Sequence, residues 1–377
     1  MTEEMTQKLF TPVQIGEITL KHRVVMAPLT RSRSEQPGDI PGPLMAEYYG
    51  QRASDGGLII SEATSISAAA RGWFGAPGMH TDAQVAGWRK IVAAVHAKGG
   101  YMFSQLWHTG RASHAETSGG IQPVSASVDP AYWADTSRLV SAPGGWMNPS
   151  PHRALDVAEI PGIVEDYRRA AERAKAAGFD GVELHGANGY LPDQFLQDGS
   201  NRRTDEYGGS IENRCRFLLE VVDAMASVWG GNRVGVRIGP GGTWNGMSDS
   251  DPIALFDYLA EQLNGFGLAY LNVIEPRVGG NRVVREGQGP VAAERLREIF
   301  KGKIIAAGGF EPDSAEAIVE RGDADLVAFG RHFLANPDLP ERIRLGLPLN
   351  PYDRNTFYTF NAVGYTDYPF YRELVTA

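Results

Sequence analysis

The chain carries a single cysteine, Cys215, among 377 residues. That excludes an intramolecular disulfide, a cysteine-built zinc site and a cysteine-ligated iron–sulfur cluster, and it fits a reducing compartment. No apolar run approaches the ~18 residues of a bilayer span, and the segment MTEEMTQKLF is acidic and polar. Neither a membrane helix nor a signal peptide is expected, and the expected location is cytoplasmic. Positive charge is in deficit: 36 Lys and Arg against 45 Asp and Glu leave a net charge of -9. Such a balance repels a phosphate polymer, so nucleic acid is not an expected partner. Three motifs are also missing. MAPLTRSR stands where a dinucleotide fold would carry GxGxxG after its first strand, and neither HExxH nor GxSxG occurs. His108, His114, His152 and His185 are too scattered for a metal site, so no metal is expected.

What the chain does have is glycine, 45 residues of it, and a regular rhythm of short apolar runs and longer amphipathic stretches. Strands are expected at Val24 to Ala27, Leu58 to Ala63, Tyr101 to Leu106, Gly181 to His185, Arg233 to Ile238, Tyr270 to Val273, Ile304 to Ala307 and Leu326 to Phe329. Helices are expected at Pro43 to Ser54, Asp82 to Ala97, Glu159 to Ala177, Ile211 to Trp229, Asp251 to Asn264, Pro290 to Phe300 and Asp313 to Arg321. Strands apolar throughout and helical crossovers between them predict an α/β protein, a (β/α)8 TIM barrel, over a doubly wound open sheet. The segment LFTPVQIGEITLKHRV predicts a hairpin about Gly16 that closes the bottom of the barrel. No linker divides the chain, so residues 1–377 read as one domain. The stretch 107–157 after strand three far exceeds a normal ~2–6 residue turn and reads as a capping excursion. The aromatic tail from Asn350 to Tyr371 is expected to pack over an opening.

Barrel active sites are assembled at the C-terminal ends of the strands. Those ends carry Pro28, Leu29 and Thr30 (strand one), Glu62 and Ala63 (strand two), and Gln105, Trp107 and His108 (strand three). Strand four ends at His185, followed by Asn188 and Tyr190, and strand five presents Arg237. Gly308, Gly309, Gly330 and Arg331 follow strands seven and eight. Close backbone approach, helix N-termini and a bidentate cation there predict a phosphate site; the plain alternative is glycines that merely permit tight turns. His185 and Asn188 can converge as donors on one carbonyl or nitro oxygen, although a lone histidine is more often structural. Tyr190, with an ordinary pKa of about 10, either gives a proton to a developing carbanion or is a core tyrosine. Arg237 interrupts an apolar strand and needs a partner, either a ring that becomes negative or a salt bridge to Glu183 or Glu62. Cys215 reads as packing.

APLTRSR, LIISEAT, QLWHTGRASH, HGANGYLPDQFLQDGSNRRTDEYGGSIENR, AFGR and GYTDYP together resemble the Old Yellow Enzyme family of flavin-dependent ene-reductases. The likeness is to its bacterial branch of pentaerythritol tetranitrate reductase, N-ethylmaleimide reductase and morphinone reductase, and runs from Leu9 to about Tyr371. The resemblance implies a barrel holding non-covalent FMN, reduced by NAD(P)H, that then reduces an activated alkene at the same site. The implied substrates are small molecules: α,β-unsaturated carbonyls, nitroalkenes, maleimides and nitrate esters or other nitro compounds. A monomer or a homodimer would serve. The flavin would lie on Pro28, Leu29 and Thr30, with Thr30 at O4, Gln105 and Ala63 at the pyrimidine edge, and Arg237 near N1 and O2. Gly308, Gly309, Gly330 and Arg331 would hold the phosphate. His185 and Asn188 would bind the substrate oxygen, Tyr190 would protonate the α-carbon, and Trp107, Trp73 and Tyr358 would shape the pocket. Thr30 in place of cysteine separates the chain from the thermophilic-like branch, Asn188 stands where some relatives have a second histidine, and Trp73 where some have tyrosine.

Overall fold

Eight short runs buried on both faces can lie only between an inner and an outer layer, and a closed parallel sheet wrapped by helices is that arrangement. The computed structural model describes residues 7–279, 282–283 and 292–374. Its barrel strands are β1 (Val24–Met26), β2 (Leu58–Ile60), β3 (Tyr101–Trp107), β4 (Gly181–Gly186), β5 (Val234–Ile238), β6 (Tyr270–Ile274), β7 (Ile304–Ala307) and β8 (Leu326–Phe329). All pair in parallel with their sequence neighbours, β8 pairs with β1, and the pairing of β3 with β4 completes the ring. The barrel is therefore the expected one, and the open sheet is ruled out.

The outer layer is α1 (Pro43–Arg52), α2 (Asp82–His96), α3 (Ile160–Ala177), α4 (Ile211–Trp229), α5 (Pro252–Leu263), α6 (Ala293–Ile299) and α7 (Pro312–Arg321). Local chemistry sets their ends. The Thr81 hydroxyl accepts from Gln84 N–H at 3.3 Å while Gln84 accepts from Thr81 N–H at 3.0 Å, a reciprocal cap that starts α2. Gly178, at φ 93°, ends α3 in the left-handed region that favours glycine. Pro290 and Val291 of the expected sixth helix lie outside the described residues. Two short helices that the periodicity did not reveal, α8 (Arg331–Ala335) and α9 (Leu339–Leu345), follow β8.

The N-terminal hairpin is present: Val13–Ile15 pairs antiparallel with Ile18–Leu20. Its apolar side chains join Val25, Leu58, Ile60, Phe103, Tyr270 and Ile305 in a buried floor inside the barrel. The 107–157 excursion is built, not loose. Val124–Ser125 pairs with Arg153–Ala154, and Val140–Ala142 with Gly145–Met147 forms a hairpin that stands over the mouth. Cys215 is fully buried in the core, where burial pushes its thiol up to about 12, in keeping with a packing role. No helix among the described residues is long and apolar enough to cross a membrane.

The floor depends on Phe103, fully buried with its ring 5.6 Å from that of Tyr270. Phe103→Ala should destabilise the fold by about 3–5 kcal/mol, read as a lowered denaturant midpoint. A loss under ~1 kcal/mol would mean the hairpin and floor collapse to fill the space.

Candidate active site

A cavity of about 580 Å³ opens at the C-terminal mouth of the barrel. Strand register assembles its polar wall. Gln105 lies beside Glu183, His185 beside Arg237, and Arg237 beside Asn272. Pro28, Leu29 and Thr30, leaving β1, line one side; Gln105 and Arg237 line the inner side. Gln105 donates through Nε2 to Glu183 at 2.7 Å.

Arg237 makes no ion pair among the described residues, so the salt bridge weighed for it is absent. Burial lowers its pKa, and the charge of Glu183 is the first influence opposing that fall. Its Nε and Nη1 are buried with no hydrogen-bond partner among the described residues. A buried guanidinium left with free donors at a cavity wall asks for an acceptor or an anion.

His185, Asn188 and Tyr190 line the same cavity. The β4 strand carries His185, and the chain then turns sharply: Asn188 sits at φ 58° and Gly189 at φ 72°. The Asp193 carboxylate holds this turn by accepting from Gly189 N–H at 2.8 Å. Burial and, next, the charge of Arg237 push the His185 pKa well below its ordinary value, so the ring is neutral. Its Nδ1 has no partner. Burial and the neighbouring Tyr358 and Tyr132 drive the Tyr190 pKa upward, against a hydrogen bond from Trp73. The phenol therefore keeps its proton at neutral pH.

Trp107 is placed differently from expectation. It does not line the cavity but stacks behind it, 6.3 Å from the His185 ring at 20° and edge-on to Tyr190 at 4.9 Å. It packs against both rings instead of forming a wall. Ala63 is likewise buried outside the lining, packed with Trp107 and Tyr190. Trp73 and Tyr358 do line the cavity, and Trp146 from the overhanging hairpin meets both, at 5.2 and 5.7 Å.

At the other end lie Gly308, Gly309, Gly330 and Arg331. Gly308 and Gly309 adopt φ 111° and 67°, which a side chain would strain, so their backbone lies bare to the cavity. Arg331 begins α8, its Nη1 donating to the Tyr352 hydroxyl at 3.3 Å. The expected contribution of α7 needs correction. Its N-terminus is capped by its own chain: the Glu311 side chain accepts from Ser314 N–H while the Ser314 hydroxyl accepts from Glu311 N–H at 3.0 Å, and the Glu311 carboxylate lies 2.9 Å from His332. The groups that face the cavity at this end are the glycine backbone and Arg331.

The sequence reading did not single out Arg31 and Arg33. Arg31 lines the cavity and donates to the carbonyls of Phe357 and Gly364 at 3.1 and 2.7 Å. Arg33 donates to Thr356, Phe357, Asn361 and Val363 carbonyls at 2.9, 2.8, 3.1 and 3.2 Å. Both guanidiniums also lie over the Tyr365 ring, at 5.1 and 4.6 Å. They bind the aromatic tail across the opening, where Tyr352, Phe357 and Tyr358 join the lining as the tail's composition predicts. The available signal was an Arg-Ser-Arg triplet a few residues after an apolar strand.

A slot with free donors on its inner wall, bare glycine backbone with an arginine at one end, and an aromatic opening fits a flat polar-edged ring with a phosphate tail. FMN fits that donor set. No group of acidic, histidine or cysteine side chains suited to a metal occurs among the described residues.

The description NADH:flavin oxidoreductase / NADH oxidase family belongs to the family model that matches residues 8–350. The protein is an oxidoreductase that takes FMN and a nicotinamide reductant. Rice 12-oxophytodienoate reductase 1 is 48% identical over 371 residues, covering 97% of this chain and 94% of the relative. Arabidopsis thaliana 12-oxophytodienoate reductase 2 is 48% identical over 374 residues, covering 96% and 95%. Among solved structures, morphinone reductase is 53% identical with a TM-score of 0.89 and 98% of each chain covered. The Zymomonas mobilis old yellow enzyme homologue is 41% identical with a TM-score of 0.90, covering 96% of this chain and 99% of the other. The chain belongs to the Old Yellow Enzyme family, and it is an NAD(P)H-dependent ene-reductase.

Two outcomes follow from the mouth. Arg33→Ala should quicken amide exchange over residues 356–363 by about tenfold or more, since charge-assisted bonds worth ~1.5–3 kcal/mol are lost. Unchanged exchange would place the tail's anchorage elsewhere. Glu62 accepts from Arg31 N–H and the Tyr49 hydroxyl at 3.2 Å each, and burial raises its pKa from 4.5 to about 7. The folded chain therefore keeps a proton that the unfolded chain releases. The stability this contributes is full below pH 4.5 and is lost as pH rises through about 7. Glu62→Gln should flatten the fall in thermal midpoint between about pH 5 and about pH 7.5; parallel curves for variant and wild type would contradict this.

Proposed function

We propose that the chain reduces the C=C bond of α,β-unsaturated carbonyls, nitroalkenes and maleimides, with nitrate esters as a further class, and that the residues of this cavity carry the roles that follow. Pro28, Leu29 and Thr30 would seat FMN, Gln105 and Arg237 would meet its pyrimidine edge, and Gly308, Gly309, Gly330 and Arg331 its phosphate. When bound, FMN supplies two-electron chemistry, passing hydride from a nicotinamide to an activated double bond. His185 and Asn188 grip the activating oxygen of the substrate. Negative charge builds on that oxygen as the bond is reduced, so donors fixed there in advance lower the barrier. Tyr190 holds the proton for the α-carbon. Trp73, Tyr358 and Trp146 exclude water from above, and Trp107 keeps the clamp rings in place.

One observation carries this reading. A neutral imidazole, an amide and a protonated phenol share a cavity whose far end is bare glycine backbone beside an arginine. The plant relatives act, by name, on 12-oxophytodienoate, and a morphinone reductase structure holds tetrahydroNAD, both in keeping with an enone substrate and a nicotinamide donor.

Stopped-flow spectroscopy with NADH, NADPH and 2-cyclohexenone separates the two half-reactions. Tyr190→Phe should slow alkene reduction on the order of 10²-fold while leaving reduction by nicotinamide little changed. Equal slowing of both would remove the proton-donor role. His185→Ala should weaken binding of a phenolic ligand about tenfold, the worth of one hydrogen bond in a dry site. Unaltered affinity would contradict the clamp.

A further inference from the structure

Beneath the cavity wall lies a group that the catalytic roles do not use. Glu183 sits mid-strand in β4, with no exposed surface, one inward-facing position below His185. Its oxygens are shared out: Oε1 accepts from Gln105 Nε2 at 2.7 Å and Oε2 from Asn272 Nδ2 at 3.0 Å. A carboxylate can only accept, so it dictates which way both amides face. Asn272 shows the cost of that dictate, because its Oδ1 is left buried without a partner. Gln105 is turned the same way, N–H side toward Glu183, but it lines the cavity, so its carbonyl oxygen is available there.

The same carboxylate acts on Arg237 at longer range. It is the leading charge opposing the burial-driven loss of the guanidinium's proton, yet the two form no ion pair. A direct bidentate pair would occupy the donors of Arg237. Held apart, the carboxylate balances part of the buried positive charge and leaves Nε and Nη1 free.

We propose that Glu183 is a positioning residue of the FMN seat: it fixes the Gln105 amide with its oxygen toward the cofactor and, from below, offsets the positive field that Arg237 presents to it. This rests on the seat assigned above to Gln105 and Arg237. An acceptor at that edge suits an N–H of the flavin ring, and a tempered cation makes the electron-rich reduced cofactor less favoured than Arg237 alone would.

The test uses FMN-loaded wild type, Glu183→Gln and Arg237→Gln, with the two-electron midpoint potential measured by dye equilibration and FMN affinity by fluorescence. Glu183→Gln keeps the shape and removes the charge. It should favour the reduced over the oxidised cofactor by about tenfold, an upward shift of about 30 mV for a two-electron couple. Arg237→Gln should shift the potential the opposite way. A lowered potential in Arg237→Gln with none raised in Glu183→Gln overturns the proposal and leaves the seat standing. No shift in either variant overturns the seat itself. Glu183→Asp, which keeps the charge but shortens the reach to Gln105, serves as the second variant if Glu183→Gln does not fold. It should hold the potential near wild type and weaken FMN binding several-fold; a shift as large as that expected of Glu183→Gln would overturn the charge argument.

Discussion

Closure of the sheet between β3 and β4 is the constraint on which the site depends. With that register set, Gln105 lies beside Glu183, and the β4–β5 and β5–β6 registers bring His185, Arg237 and Asn272 side by side. A shift of one residue in any of these pairings would turn the polar side chains out into the helical layer, where nothing would satisfy them. The polar layer and the ring closure therefore specify each other. Below it the barrel is filled by the apolar floor that the hairpin seals, so the opening lies at one end.

Burial makes the chemistry of the mouth unusual in a consistent direction. Glu62, Glu183 and Asp193 are buried carboxyls held by N–H and O–H donors in place of ion pairs, and desolvation raises the pKa of each. His185 is driven toward its neutral form and Tyr190 toward its protonated form by the same cause. In the proposed role, neutral donors suit a substrate that arrives uncharged and becomes negative only during reaction, because a fixed imidazolium would hold an anion before and after the step as well.

The barrel was legible because each of the eight strands is a short apolar run bounded by glycine or polar residues, and a strand buried on both faces needs no alternation to be seen. The strand-end rule then found the polar inner wall of the cavity and the glycines at its far end without any structure. Its misses at Trp107, Arg31 and Arg33 rest on contacts remote in sequence. Trp107 is at a strand end yet turns behind the His185 and Tyr190 rings, which only packing decides. Arg31 and Arg33 bind carbonyls more than three hundred residues away, and no local pattern records their acceptors. The α7 N-terminus looked open to an anion, but the chain's own Glu311 side chain caps it. α8 and α9 are too short for their period to stand out.

The bonds from Arg31 to Phe357 and Gly364 join positions 326 and 333 residues apart. On a ribosome adding ~5–20 residues each second, the segment after β1 waits many seconds before its carbonyl partners are made. Until then the Arg31 and Arg33 guanidiniums and the Tyr48 ring lack the Tyr365 ring they pack against. The aromatic wall of the cavity, with Phe357 and Tyr358, is thus among the last parts of the chain to be made.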